Sequence, residues 1–247
     1  MPDLPKTLLV LGGTSDIGRA TALVFAQRGW AIQLAGRDAV ALRREVDDIT
    51  ARTSVSVTAH SFDVLQTGSF PAFVDALPSL PDAVICFVGM LGDQRRSENE
   101  LDYATIVMRS NYEGPSLILG LFAERFLVRG AGTIVGVSSV AGDRGRASNY
   151  VYGSAKAAFT EFLSGLRNRC AKHGVHVVTV KPGYVKTRMT ESMKLPAALV
   201  CSPEVVGIAI LNAITTGKDI IYVKGLWRCI MMVIRLLPER LFKNMSI

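Results

Sequence analysis

Seven short apolar runs alternate with stretches of helical periodicity along 247 residues, and that alternation leaves few folds open. The runs cover residues 7–11, 31–35, 55–59, 83–88, 133–137, 175–180 and 219–223. Most are continuously apolar, as strands buried on both faces of a parallel sheet are. Helical patterns fill residues 39–49, 70–77 and 101–129, and another ends near Lys172. The expected fold is α/β: one doubly wound parallel sheet of Rossmann type in a single domain, residues 1–225. Residues 226–247 read as a basic amphipathic helical extension, not a second domain. No internal repeat or low-complexity linker divides the chain.

The first run ends in Gly12, Gly13, Thr14, Ser15, Asp16, Ile17 and Gly18, followed at once by a helical pattern. Strand, glycine turn and helix form the context of a dinucleotide site. Glycine lets the backbone approach a pyrophosphate, and a helix N-terminus offers free N–H groups. A tight turn without a ligand is the competing reading. The second run ends in Gly36, Arg37 and Asp38. An acid there would hold the ribose 2′-hydroxyl of NAD, whereas an arginine favours the 2′-phosphate of NADP. Arg37 therefore points to NADP(H) over NAD(H), unless it is only a solvated charge. Asp38 suits the cap of the next helix.

Tyr152 and Lys156 stand four residues apart, which puts both side chains on one helical face. Ser139, thirteen residues before Tyr152, ends a strand, while Ser138 faces the other side of it. Phenol, ammonium and hydroxyl together suit hydride transfer to a carbonyl, where a developing alkoxide needs a proton donor. A free tyrosine has a pKa of about 10, and bringing it near neutrality takes about 4 kcal/mol of differential stabilisation. The Lys156 cation would supply part of that. Within the helix at 101–129, Pro115 has no N–H for the carbonyl of Asn111. The helix is expected to kink there, either merely bending or freeing that carbonyl to hold a water on a proton path.

Taken together, the glycine turn, Ser139, Tyr152 and Lys156 resemble the short-chain dehydrogenase/reductase family over nearly the whole chain. The resemblance implies Tyr152 as acid/base, Lys156 as the group shifting its pKa, Ser139 as carbonyl orienter and Asn111 as relay. It places Asp63 and Val64 near an adenine and Gly89 at the end of a central strand. Residues Lys181 to Thr187 resemble the family's P-G-x-x-x-T turn, which implies nicotinamide contacts from Pro182, Gly183, Val185 and Thr187. Departures are visible as well. Asp16 stands where the family has a glycine, either repelling a pyrophosphate or accepting hydrogen bonds at the helix start. Gly36 stands where an NAD-selecting acid would be. Cys86, Phe87 and Val88 replace the family's Asn-Asn-Ala before Gly89, so another group must support the central strand. Residues 189–199 are expected to cover the substrate. Pairing through the helices at 101–129 and 150–172 would make a homodimer.

Within the family, the chain is similar to bacterial reductases of decaprenylphosphoryl-2-keto-pentose. Leu91-Gly-Asp93, the stretch from Ser138 to Arg146, Thr187-Arg-Met189 and the tail from Met231 to Phe242 carry that likeness. It implies reduction of a 2-keto sugar on a polyprenyl phosphate, a cell-wall precursor. Arg144 and Arg146 would then hold the substrate phosphate. Another keto lipid or a small carbonyl compound is the alternative substrate. A cofactor-sensing membrane adaptor without turnover is the alternative class.

Charge bears on partners. The formal net charge is +7, which calls for a membrane surface, a phosphorylated ligand or nucleic acid. Five cations, Lys224, Arg228, Arg235, Arg240 and Lys243, meet only Glu239 in the last 24 residues, among many apolar side chains. That mixture suits anionic lipid better than nucleic acid, and no nucleic-acid partner is expected. Burial against a second subunit would serve the same apolar residues. Cys86, Cys170, Cys201 and Cys229 form no C-x-x-C pair, and three histidines show no ligand spacing, so no metal site is expected. The N-terminus lacks the pattern of a signal peptide and no run is long enough to cross a bilayer. A cytoplasmic protein is expected, with peripheral contact on the inner membrane face through the tail.

Overall fold

Nine strands and ten α-helices make up the computed structural model, which describes residues 5–191, 193 and 195–245. The strands are β1 (Thr7–Leu11), β2 (Ala31–Gly36), β3 (Val57–Ser61), β4 (Ala83–Cys86), β5 (Gly132–Val137), β6 (Val175–Pro182), β7 (Tyr184–Val185), β8 (Val200–Cys201) and β9 (Ile220–Val223). The helices are α1 (Asp16–Ala26), α2 (Ala39–Arg52), α3 (Phe70–Asp75), α4 (Gln94–Asn99), α5 (Leu101–Met108), α6 (Gly114–Arg129), α7 (Tyr150–Cys170), α8 (Pro203–Thr216), α9 (Leu226–Leu236) and α10 (Glu239–Phe242). Seven strands form one parallel sheet in the order β3-β2-β1-β4-β5-β6-β9, and β7 pairs with β8 outside it. The fold is the doubly wound sheet that the alternating pattern predicts.

The sheet is apolar on both faces because each face carries helices. Leu8 and Val10 of β1 point into one core with Phe25, Ile32, Leu34 and Ile210. Leu9 and Leu11, on the opposite face, pack with Phe122, Phe126, Phe159 and Leu163. Strand order reverses between β1 and β4, which opens a crevice at their carboxyl ends. Gly12 and Gly89 lie beside it, just after these two strands.

The boundaries depart from the expected ones where tertiary contacts intervene. β3 starts at Val57, in register with Ile32, and not at residue 55. The second half of residues 91–96 is helical: Asp93 accepts a hydrogen bond from the Arg96 N–H at 2.7 Å and caps α4. The long helix at 101–129 is not regular α-helix throughout. It widens into a π-turn at Arg109–Glu113, where Gly114 N–H reaches the Arg109 carbonyl five residues back. The extra residue per turn absorbs the missing Pro115 donor without breaking the helix.

After β9 the chain turns back as α9 and α10, separated at Pro238. The inner face of α9 is satisfied by the body of its own chain. Trp227 and Met231 are buried against Val140, Tyr184, Leu199 and Tyr222.

Candidate active site

α7 supplies the centre of the site. Its first turn begins where Gln94 of α4 accepts a hydrogen bond from the Val151 N–H at 3.2 Å. From there Tyr152 and Lys156 project on one face, as their spacing requires. Lys156 is buried and donates to the Val137 carbonyl at the end of β5, at 3.0 Å. Its ammonium lies 5.8 Å from the centre of the Tyr152 ring. Ser139 follows β5 and faces the same cavity, whereas the Ser138 hydroxyl turns away to the Lys156 carbonyl and Thr160. Asn111, fully buried in the π-turn, donates to the carbonyls of Met90 and Val107 at 2.7 and 2.8 Å. Its Oδ1 has no partner among the described residues. Gly89 separates that oxygen from Lys156: a Cβ at Gly89 would lie 2.5 Å from Asn111 Oδ1 and 3.1 Å from Lys156 Nζ.

The electrostatics correct one expectation. Burial pushes the Tyr152 phenol above its ordinary value, and the Ser139 hydrogen bond opposes that in part. Burial also lowers Lys156 to about 8. Lys156 gives its hydrogen bond to Val137, and burial is the larger influence on both groups. The phenol thus stays protonated at neutral pH, the form that can give a proton to an alkoxide. Cys86, in place of the family's asparagine, is buried at the end of β4 beside Lys156. Burial raises its thiol to about 11, while its sulfur takes a hydrogen bond from the Val88 backbone.

One cavity of about 230 Å³ joins these groups, with Ile17 at the glycine turn and Pro182, Gly183, Val185 and Thr187 along its wall. Its far side carries Met189, Thr190 and Met193, from the segment expected to cover a substrate. The turn has the shape a dinucleotide needs. Gly12 sits at φ +87°, and a Cβ on Gly18 would fall 2.4 Å from the Gly12 carbonyl oxygen. Ser15 caps α1 by accepting the Gly18 N–H at 3.0 Å. The N–H groups of Asp16 and Ile17, in the first helical turn, have no carbonyl four residues back and remain to meet an anion. Thr14 lies between the glycines and Ser15, where its carbonyl accepts from Arg188. These residues fit the diphosphate of a nicotinamide dinucleotide.

Other expected site residues sit elsewhere. Asp63 accepts the Leu65 N–H at 3.0 Å, a local turn contact, and Val64 packs against Gly114. Arg37 is exposed just beyond β2, and Asp38 caps α2 through the Ala41 N–H at 2.9 Å. Asp16 does not serve its own helix: its carboxylate accepts the Arg188 N–H at 2.8 Å and pairs with the Arg188 guanidinium. Arg144 does not face the cavity as a phosphate ligand. It donates to the carbonyls of Ile234, Arg235 and Leu237 at the end of α9, pairs with Glu239 and lies over the Phe242 ring. The carboxyl end of a helix is an electronegative site, and Arg144 answers it. Arg146 does line the cavity, with its Nε buried and unpartnered among the described residues.

Two contributors escape a reading of the sequence. Asn149 lines the cavity with a buried Oδ1 that has no partner among the described residues, and Arg188 crosses to the glycine turn. Neither spacing nor periodicity marks them, because their partners lie far away in sequence.

A family model described as short chain dehydrogenase matches residues 6–197. An uncharacterized oxidoreductase of Mycobacterium tuberculosis is 34% identical over 242 residues, covering 96% of each chain. An NADP-dependent 3-hydroxy acid dehydrogenase of Schizosaccharomyces pombe is 27% identical over 190 residues, 75% of this chain and 73% of that one. Among solved structures, an actinorhodin polyketide ketoreductase with NADPH superposes with a TM-score of 0.81 at 22% identity, covering 90% of this chain and 97% of that one.

Proposed function

From its membership of the short-chain dehydrogenase family, as a nicotinamide-dependent oxidoreductase, we propose that the chain reduces a keto group with NADP(H). The observation that carries this reading is the single cavity shared by Ser139, Asn111, Tyr152 and Lys156 next to the glycine turn. The bound cofactor supplies the hydride. Tyr152 gives its proton to the substrate oxygen, and Ser139 holds that oxygen in place. Lys156 stands between Tyr152 and the Asn111 oxygen, and a water joining Lys156 to that oxygen would complete a proton path. Exposed Arg37 beside side-chain-free Gly36 favours NADP(H). Two of the similar proteins are named for NADP or were solved with NADPH.

For the substrate we propose a 2-keto sugar on a polyprenyl phosphate. The likeness of the tail supports it, as does Arg146, whose unpaired Nε in the cavity wall suits an anionic substituent. The tail would lie on the membrane that holds such a lipid. A homodimer is part of the reading: Leu101, Met108, Tyr112 and Leu117 leave apolar side chains exposed along α5, the π-turn and α6. A small carbonyl substrate is the second reading, favoured by the apolar Met189 and Met193 in the cavity wall. Incubation with NADPH and either a polyprenyl-phosphate-linked keto-pentose or soluble ketones decides between them. Nicotinamide oxidation with a reduced lipid-linked sugar in the mass spectrum is expected. Turnover of soluble ketones alone selects the second reading, and cofactor binding with no turnover of either defeats the enzymatic one.

A further inference from the structure

An acid in a turn built for a diphosphate needs a physical reason. Asp16 stands at the first position of α1, where its own N–H is free to meet an anion. A lone carboxylate there would repel the cofactor. It is not alone. The Arg188 backbone N–H reaches Asp16 Oδ2 at 2.8 Å, and Arg188 Nε lies 3.2 and 3.4 Å from the two carboxylate oxygens. Arg188 Nη2 goes further, to the Thr14 carbonyl at 2.9 Å. Two groups on the turn side, the Asp16 carboxylate and the Thr14 carbonyl, are thus bridged by one side chain.

The anchor of Arg188 is itself fixed. Thr187 and Thr190 cap each other around a short 3₁₀ turn, with the Thr190 hydroxyl on the Val185 carbonyl at 2.6 Å. The same turn puts Thr187, Met189 and Thr190 in the cavity wall. Arg188 therefore spans from the wall of the active cavity to the glycine turn. Its side chain is 72% exposed against 21% for Asp16, so the arginine end can open into solvent.

We propose that Arg188 is a positioning residue for the cofactor: Asp16 holds its guanidinium across the glycine turn, and the pair straps the diphosphate of the bound nucleotide into its groove. This rests on the nicotinamide reading above. Asp16 neutralises the arginine before the nucleotide arrives, and the nucleotide leaves when the pair opens.

Stopped-flow fluorescence of NADPH with the full chain tests the strap without any substrate. Arg188→Ala is expected to speed NADPH dissociation by at least about tenfold, the loss of a charge-assisted contact. Asp16→Ala should do the same, and the double variant should be no faster than either single one, because one strap is cut once. The exchanged pair, D16R with R188D, should restore slow release, which answers any loss of folding in a single variant. Adenosine 2′-monophosphate has no diphosphate, so its affinity should not change in Arg188→Ala. An unchanged dissociation rate, additive effects of the two alanine variants, or equal weakening of the fragment overturns the strap. A parent chain that binds neither NADPH nor NADH overturns the cofactor reading as well.

Discussion

Lys156 is a buried cation whose folded-state pKa, about 8, lies below the ordinary lysine value of 10.5. Between those pH values the unfolded chain holds more protons than the folded one, so stability rises with pH across that window. Below it, the buried ammonium costs on the order of 3 kcal/mol. Lys156→Met should flatten that rise, and urea unfolding of parent and variant at about pH 7.5 and pH 10 measures the difference. In the proposed mechanism the same titration governs catalysis. Reduction needs a protonated Tyr152, which burial secures, together with a charged Lys156. The pH profile of kcat/KM for reduction is therefore expected to fall above about pH 8. Tyr152→Phe should lower turnover by about 10²-fold or more, with the dissociation constant for NADPH within a few-fold of the parent. Retained turnover in that variant would remove Tyr152 from the acid's role.

At the scale of elements, the π-turn is what aims Asn111 at Gly89 and Lys156. Restoring the missing donor should undo it. Pro115→Ala supplies an N–H for the Asn111 carbonyl, which lets the α-helical pattern run through. Turnover is expected to drop about tenfold or more, with a melting temperature equal to or above the parent's, because the variant removes a helix-interior proline. A loss of stability with normal turnover would mean that the turn is only a packing detail. The proline is readable from the sequence, and so is the group it deprives. The form of the relief is not, since the missing bond can be answered in several ways and tertiary packing selects the π-turn. β1, the glycine turn and α7 are legible because each carries its signal locally: a continuous apolar run, a glycine spacing, a pair on one helical face. Arg144 is not legible in this way. It looks like a substrate cation beside Ser139, yet its partners at Ile234, Arg235 and Leu237 lie some ninety residues on. Charge and position say that Arg144 needs an anion or carbonyls, and only the folded tail shows which.

For the whole molecule, the tail is both a structural wall and a candidate surface, and the two roles separate by residue. The wall is α9's inner face. Burying Trp227 and Met231 contributes on the order of 4 kcal/mol. Trp227 also occupies the space a Cβ on Gly183 would need, 1.9 Å from its ring, so the tail braces the cavity wall. Asp143 adds to this bracing: it holds Lys181 at 2.5 Å and the Tyr222 hydroxyl at 2.8 Å, with Arg144 next to it on the tail. Truncation after Gly225 would uncover Val140, Tyr184 and Leu199, and is expected to destabilise the body and disturb the cavity. Truncation thus cannot isolate membrane binding. The outer face can. Leu226, Met232, Val233, Leu236 and Leu241 stay exposed there, with Arg228, Arg235, Arg240 and Lys243 close by in sequence. No helix among the described residues is long and apolar enough to cross a bilayer, so the contact proposed is one of lying on the surface. Each basic residue near anionic lipid contributes about 1 kcal/mol. Replacing Arg228, Arg240 and Lys243 by glutamine leaves the Arg144 contacts intact and should weaken binding to phosphatidylserine vesicles by about a hundredfold. NADPH affinity and the melting temperature should hold. Vesicle binding that survives all three substitutions, or a parent chain that ignores anionic vesicles altogether, would assign the outer face to a protein contact and take the membrane out of the proposed function.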